Sequence, residues 1–106
     1  MNAQFKKGVL EMVLLQTLKP AALSTYDVLK HLRDRLDVNE NTIYPLLRRL
    51  EAEGYVTFEK VYGELGAPRK LFKLTESGLQ HLTTLSTQWW SFADEVSALM
   101  KGADHD

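Results

Sequence analysis

In Thr42-Ile43-Tyr44-Pro45-Leu46-Leu47-Arg48-Arg49-Leu50-Glu51-Ala52-Glu53-Gly54-Tyr55-Val56 the spacing of apolar residues changes from that of a helix to that of a strand within one short segment. Ile43, Leu46, Leu47 and Leu50 fall at i, i+3, i+4 and i+7, which places them on one face of a helix. Asn39 or Asn41 is positioned to cap its start, and Gly54 to end it. Arg48 and Arg49 fall on the opposite face. Pro45 lacks a backbone donor and crowds the carbonyl four residues before it, so it is expected near the helix start. Beyond Gly54, Tyr55 to Tyr62 is rich in β-branched and aromatic residues, and Arg69 to Leu74 forms a second such run. Gly63-Glu64-Leu65-Gly66-Ala67-Pro68 between them supplies turn residues, which predicts a hairpin with an exposed tip.

Working outward, Val9, Met12, Val13 and Leu18 recur at helical spacing before Pro20 stops the run. Ser24, with Asp27 three residues on, reads as a variant capping box for a second helix that carries Leu29, Leu32 and Leu36 on one face. Three helices followed by a hairpin is the order of a winged helix-turn-helix. A last helix is expected from an N-cap at Thr75 to about Lys101, with Glu76 at the positive end of its dipole. Within it Leu82, Leu85, Trp89, Phe92, Val96 and Leu99 form a heptad seam. Such a seam needs a partner, and a second copy of the chain in a symmetric dimer is the simplest one. The sequence thus predicts a mainly α fold with a small β-hairpin. It divides into a winged helix-turn-helix over 1–74, a long C-terminal dimerisation helix over 75–101 and a flexible tail over 102–106.

The 106 residues suit one domain, and 44% hydrophobic with 25% charged residues is an ordinary globular composition. No apolar run approaches the roughly 20 residues that span a bilayer. Met1 to Lys7 lacks the apolar stretch of a secretory signal, which points to a cytoplasmic protein with no membrane partner. Cysteine is absent, and His31, His81 and His105 have no metal-ligand spacing, so no metal and no cofactor is expected. Without a glycine-rich phosphate loop or a nucleophile motif the chain is not expected to be an enzyme. The net charge of -1 conceals an asymmetry. Residues 1–73 carry 12 Lys and Arg against 9 Asp and Glu, whereas 74–106 carry 1 against 5. The basic part is the predicted winged helix, which suits binding to phosphates, although a solvated charged surface explains so small a difference equally well.

The segment Thr42 to Val56 resembles the PadR family of transcriptional regulators, whose third helix reads Thr-(Ile/Leu)-Tyr-Pro, then Arg-Leu-Glu and a glycine. Thr25-Tyr26-Asp27-Val28, Arg69-Lys70-Leu71-Phe72-Lys73-Leu74-Thr75 and Gly78 agree with it too. Two positions depart from the family's pattern: Thr25 stands where a glycine is frequent, and Ala67 follows Gly66 where an arginine is common. The resemblance implies a repressor that occludes a promoter as a dimer. It also implies the compact subgroup with a single C-terminal helix, some of whose members bind planar hydrophobic compounds at the dimer interface.

In a winged helix the third helix enters the major groove while its flanks hold phosphates. Asn39, Asn41, Thr42 and Tyr44 are the candidates for base contact, since Asn pairs with adenine and Thr meets the thymine methyl. Helix capping explains the two asparagines equally well. Pro45 belongs to the same motif by resemblance, and Tyr26 is a candidate for phosphate. Arg48 and Arg49 point about 100° apart, so one is expected on phosphate and the other on an acid. Lys6 and Lys7, in an N-terminal arm, and Arg69 and Lys70, on the wing, are further phosphate candidates. Trp89 lies on the dimer seam and Trp90 off it; both are candidates to bind a small aromatic effector, which paired Trp89 rings in an open dimer would sandwich. The rival to double-stranded DNA as partner is another protein, met by a winged-helix interaction module.

Overall fold

The computed structural model describes residues 3–63 and 66–104, with the side chains of 8–63 and 66–102. Its elements run α1 (Ala3–Leu18), β1 (Leu23–Ser24), α2 (Thr25–Leu36), α3 (Glu40–Ala52), β2 (Val56–Val61), β3 (Arg69–Leu74) and α4 (Glu76–Asp104). This is the predicted mainly α architecture with a small antiparallel sheet.

The sheet has three strands in the order β1-β3-β2. Phe58 lies opposite Phe72 and Lys60 opposite Lys70 in the hairpin, while Leu23 and Ser24 pair with Phe72 and Leu71 on the other side of β3. The third strand is an addition to the expected hairpin. Two residues are too short to show an alternation, so no periodicity marked it.

Helix α1 differs from expectation in two ways. It begins at Ala3, so the backbone of Lys6 and Lys7 belongs to the helix rather than to an arm preceding it, and the side chains of both lie outside the described residues. Its buried face is Leu10, Leu14, Leu15 and Leu18; of the expected stripe Leu18 is buried, Met12 and Val13 pack half-buried against the core, and Val9 is half-buried. The helix is apolar on several sides, and it packs against α2, β3 and α4. Leu29 and Leu32 of α2, Ile43, Leu46, Leu47 and Leu50 of α3, Val56 and Phe72 complete the core.

Ser24 and Asp27 form the expected cap of α2: the Ser24 hydroxyl accepts the Asp27 N–H at 3.1 Å and donates to the Asp27 carboxylate at 3.0 Å. Helix α3 ends in a paired-carbonyl turn, in which the Gly54 N–H reaches the Glu51 carbonyl at 3.0 Å and the Tyr55 N–H reaches Leu50 at 2.9 Å. Gly54 holds φ +83, a left-handed conformation that glycine adopts without strain. Thr75 then caps α4, accepting the Gly78 N–H at 3.0 Å while its hydroxyl donates to the Gly54 carbonyl at 2.6 Å.

Helix α4 carries the molecule to 65 × 27 × 21 Å and continues to Asp104, so the first residues of the expected tail, Gly102 to Asp104, are helical. The seam on α4 is not uniform. Leu82 is only 2% exposed and belongs to the chain's own core, which corrects its assignment to a dimer interface; Leu85 also packs against that core. The first turns of α4 lie alongside α1 and use the seam internally. Phe92, at the end of that contact, and Val96 and Leu99 beyond it remain exposed, Leu99 at 75%.

Candidate nucleic-acid interface

The exposed flank of α3 is built from its first residue onward. Asn39 is the cap: its side-chain oxygen accepts the Asn41 N–H at 2.9 Å, and its carbonyl accepts from Thr42 at 3.0 Å and Ile43 at 3.1 Å. The capping alternative therefore describes Asn39 and not Asn41, whose side chain is exposed in the first turn. Pro45 is the sixth residue of α3, one turn further in than the N-terminus it was expected to occupy. It leaves the Asn41 carbonyl without a helical donor.

Because Ile43, Leu46, Leu47 and Leu50 turn inward, Asn41, Tyr44, Pro45 and Arg48 turn outward at i, i+3, i+4 and i+7. They form one wall of an open recess of about 570 Å³. Thr25 at the start of α2, Lys70 on the wing and Glu40 line it as well. Tyr44 is 48% exposed, and Tyr26 stands free of the body beside Thr25. Lys70 is steadied by the Phe58 ring, 4.3 Å from its ammonium, a cation–π contact that fixes the stem without neutralising the charge. Arg69 opens β3, with its guanidinium donating to the Ser24 hydroxyl at 3.3 Å. Thr42 is exposed but does not line the recess.

The two adjacent arginines part company. Arg48 faces the recess. Arg49 points to acids, with Glu53 at 3.1 Å and Glu11 at 3.4 Å. Glu11 also meets His81 at 3.3 Å, and the His81 ring stacks on Tyr55 with centroids 4.1 Å apart. One carboxylate on α1 thereby joins the end of α3 to the first turns of α4. This cluster fastens the helix that carries the recess to the helix that leaves the body.

Sequence reasoning did not single out Glu40, nor Thr25 as a wall of the recess. Glu40 precedes Tyr44 by four residues and so shares its side of the helix, a relation readable from spacing alone. Thr25 reaches the recess through the packing of α2 on α3, which no local pattern shows.

The second feature is a groove of about 230 Å³ between α1 and α4, lined by Val9, Met12, Leu85, Trp89 and Phe92. Trp90 is 64% exposed and lines a different recess with Lys19 and Ser86, so the two tryptophans do not share one pocket. Adjacent helical residues diverge by about 100°, which is sufficient to separate them. No metal-binding cluster of His, Cys, Asp or Glu occurs among the described residues, and no helix there is long and apolar enough to cross a membrane.

Comparison with known proteins places these features. The transcriptional regulator PadR-like family matches residues 14–84, a span from α1 into α4. The negative transcriptional regulator PadR of Bacillus subtilis (strain 168) is 32% identical over 78 residues, which cover 70% of this chain and 43% of that protein. A PadR-like transcriptional regulator of Bacillus cereus superposes with TM-score 0.83 at 29% identity, covering 92% of this chain and 97% of that one. Bacillus subtilis PadR in complex with operator DNA superposes with TM-score 0.66 at 31% identity, over 72% of this chain and 45% of that one. The chain thus spans less than half the length of the Bacillus subtilis regulator.

Proposed function

This chain belongs to the PadR-like family of transcriptional regulators, and from that premise we propose that it is a sequence-specific repressor that binds a palindromic operator as a homodimer. The observation that carries the DNA reading is the outward stripe of Asn41, Tyr44 and Arg48 beside Lys70. Its side-chain polar groups make no hydrogen bond or ion pair to the rest of the described chain, on the helix that in this fold enters the major groove. Asn41 and Tyr44 lie near the helix N-terminus, where side chains reach base edges. Arg48 and Lys70 flank them as phosphate ligands, with Tyr26 and Arg69 on the periphery. Arg49 has a structural task instead, holding α3 to α1.

The homodimer rests on the second half of the seam. Phe92, Val96 and Leu99 expose a continuous apolar face on a helix that has already left its own core, and pairing with a second copy removes that face from water. Pairing also covers the groove beside Trp89, which is too small and open in one chain to enclose a drug-sized ligand. A small planar aromatic effector held there would shift the equilibrium between dimer geometries only through a difference in affinity for them. Quenching of Trp89 fluorescence by planar aromatics, together with release of DNA, tests that part.

Selection from a random duplex pool, followed by titration of the recovered duplex across salt concentrations, tests the function. A dyad-symmetric motif is expected, with affinity falling at a log-log slope of about 0.9 per neutralised phosphate. No enrichment, and no binding at low salt, would refute it in favour of a protein partner.

A further inference from the structure

Building on the DNA-binding reading, we propose that Glu40 is a specificity-determining residue, which reads a cytosine by accepting its exocyclic amine in the major groove. Glu40 opens α3 and lines the recess with Asn41, Tyr44, Arg48 and Lys70. Its side chain forms no hydrogen bond or ion pair with any described residue. Arg49, by contrast, has Glu11 and Glu53, and Lys73 has Glu59. The other polar side chains lining the recess are donors or amphoteric: a hydroxyl, an amide, a phenol, a guanidinium and an ammonium. An unpaired carboxylate among them is a poor feature for a surface whose only role is to attract phosphates, because it repels them.

Its chemistry fits a different object. An ionised carboxylate only accepts hydrogen bonds. In the major groove cytosine presents a donor, N4, and a carboxylate is its natural partner, whereas guanine offers two acceptors and thymine one acceptor beside a methyl group. Adenine offers a donor next to an acceptor, which suits an amide better than a carboxylate. Glu40 and Asn41 are consecutive at the N-terminus of the helix, the part that reaches base edges. The pair therefore reads neighbouring positions, cytosine by Glu40 and adenine by Asn41. Favourable placement of an acid at the positive end of the α3 dipole accounts for its presence in the first turn, but not for its place on the recess wall.

The test is selection of duplexes from a random pool by the full chain and by its Glu40→Ala and Glu40→Gln variants, with thermal unfolding confirming that each variant folds. The expected wild-type motif has a cytosine at one position in each half-site. Glu40→Ala should lose preference at that position alone, by about 5- to 100-fold, the range of one good base contact. It should also bind unrelated duplexes more tightly, since a charge that repels phosphate is gone. Glu40→Gln should shift the preferred base from cytosine to adenine. The same motif from all three proteins would overturn the role of Glu40 while leaving the DNA-binding reading intact. Failure of the wild type itself to select any motif would overturn that reading, and the proposal with it.

Discussion

Replacing Gly78 by alanine should loosen the joint between the winged helix and α4. A Cβ at this position would lie 2.8 Å from the Tyr55 carbonyl carbon and 3.2 Å from its Cα, with the carbonyl oxygen closer still. These are backbone atoms and cannot swing aside. The same carbonyl accepts the Thr75 N–H at 3.1 Å, so relief of the clash strains that hydrogen bond as well. Overpacking costs about 1–3 kcal/mol, and a weakened hydrogen bond about 1 kcal/mol. The better helix propensity of alanine returns about 1 kcal/mol at most. The net loss is about 1–3 kcal/mol, which for a chain of this size lowers Tm by about 5–20 °C. Thermal unfolding at one fixed protein concentration, followed by circular dichroism, measures it. An unchanged or raised Tm would show that helix propensity outweighs the contact, and that α4 is not clamped on Tyr55.

Arg48→Ala should weaken binding to every duplex and reduce the log-log salt slope by about 0.9 per protomer, hence by about 1.8 for the dimer. Arg49→Ala should leave that slope unchanged in the same titration and lower stability by about 1 kcal/mol or less, because its ion pairs are partly exposed. Asn39→Ala removes the cap of α3, and urea unfolding should show a loss of about 1 kcal/mol. Phe92→Asp places a charge on the exposed part of the seam; sedimentation equilibrium should show a monomer of unchanged helix content, and a persistent dimer would place the interface elsewhere.

What could be read in the sequence was set by local periodicity. Ile43, Leu46, Leu47 and Leu50 announce α3, and with its face fixed Asn41, Tyr44 and Arg48 are fixed on the other side. Ser24 with Asp27, and Gly54, mark boundaries because their roles are satisfied within a few residues. The rest depends on contacts distant in sequence. β1 exists only because Leu23 and Ser24 lie beside β3. The partition of the α4 seam follows from where α1 ends alongside it, so Leu82 looks like Val96 in the heptad and differs only in the fold. Nor does the spacing of Arg48 and Arg49 say which one meets Glu11, 38 positions from Arg49 and brought close by the packing of α1. Glu40 was legible by its spacing to Tyr44, but its lack of a partner needed the structure.

The central claim is that two copies of α3 read two major grooves of one operator. Hydroxyl-radical footprinting of the full chain on its selected duplex tests it most directly. Two equivalent protected segments related by a dyad, with centres about one helical turn or a multiple of it apart, are predicted. A single protected segment without symmetry, or protection spread evenly along the duplex, would contradict it.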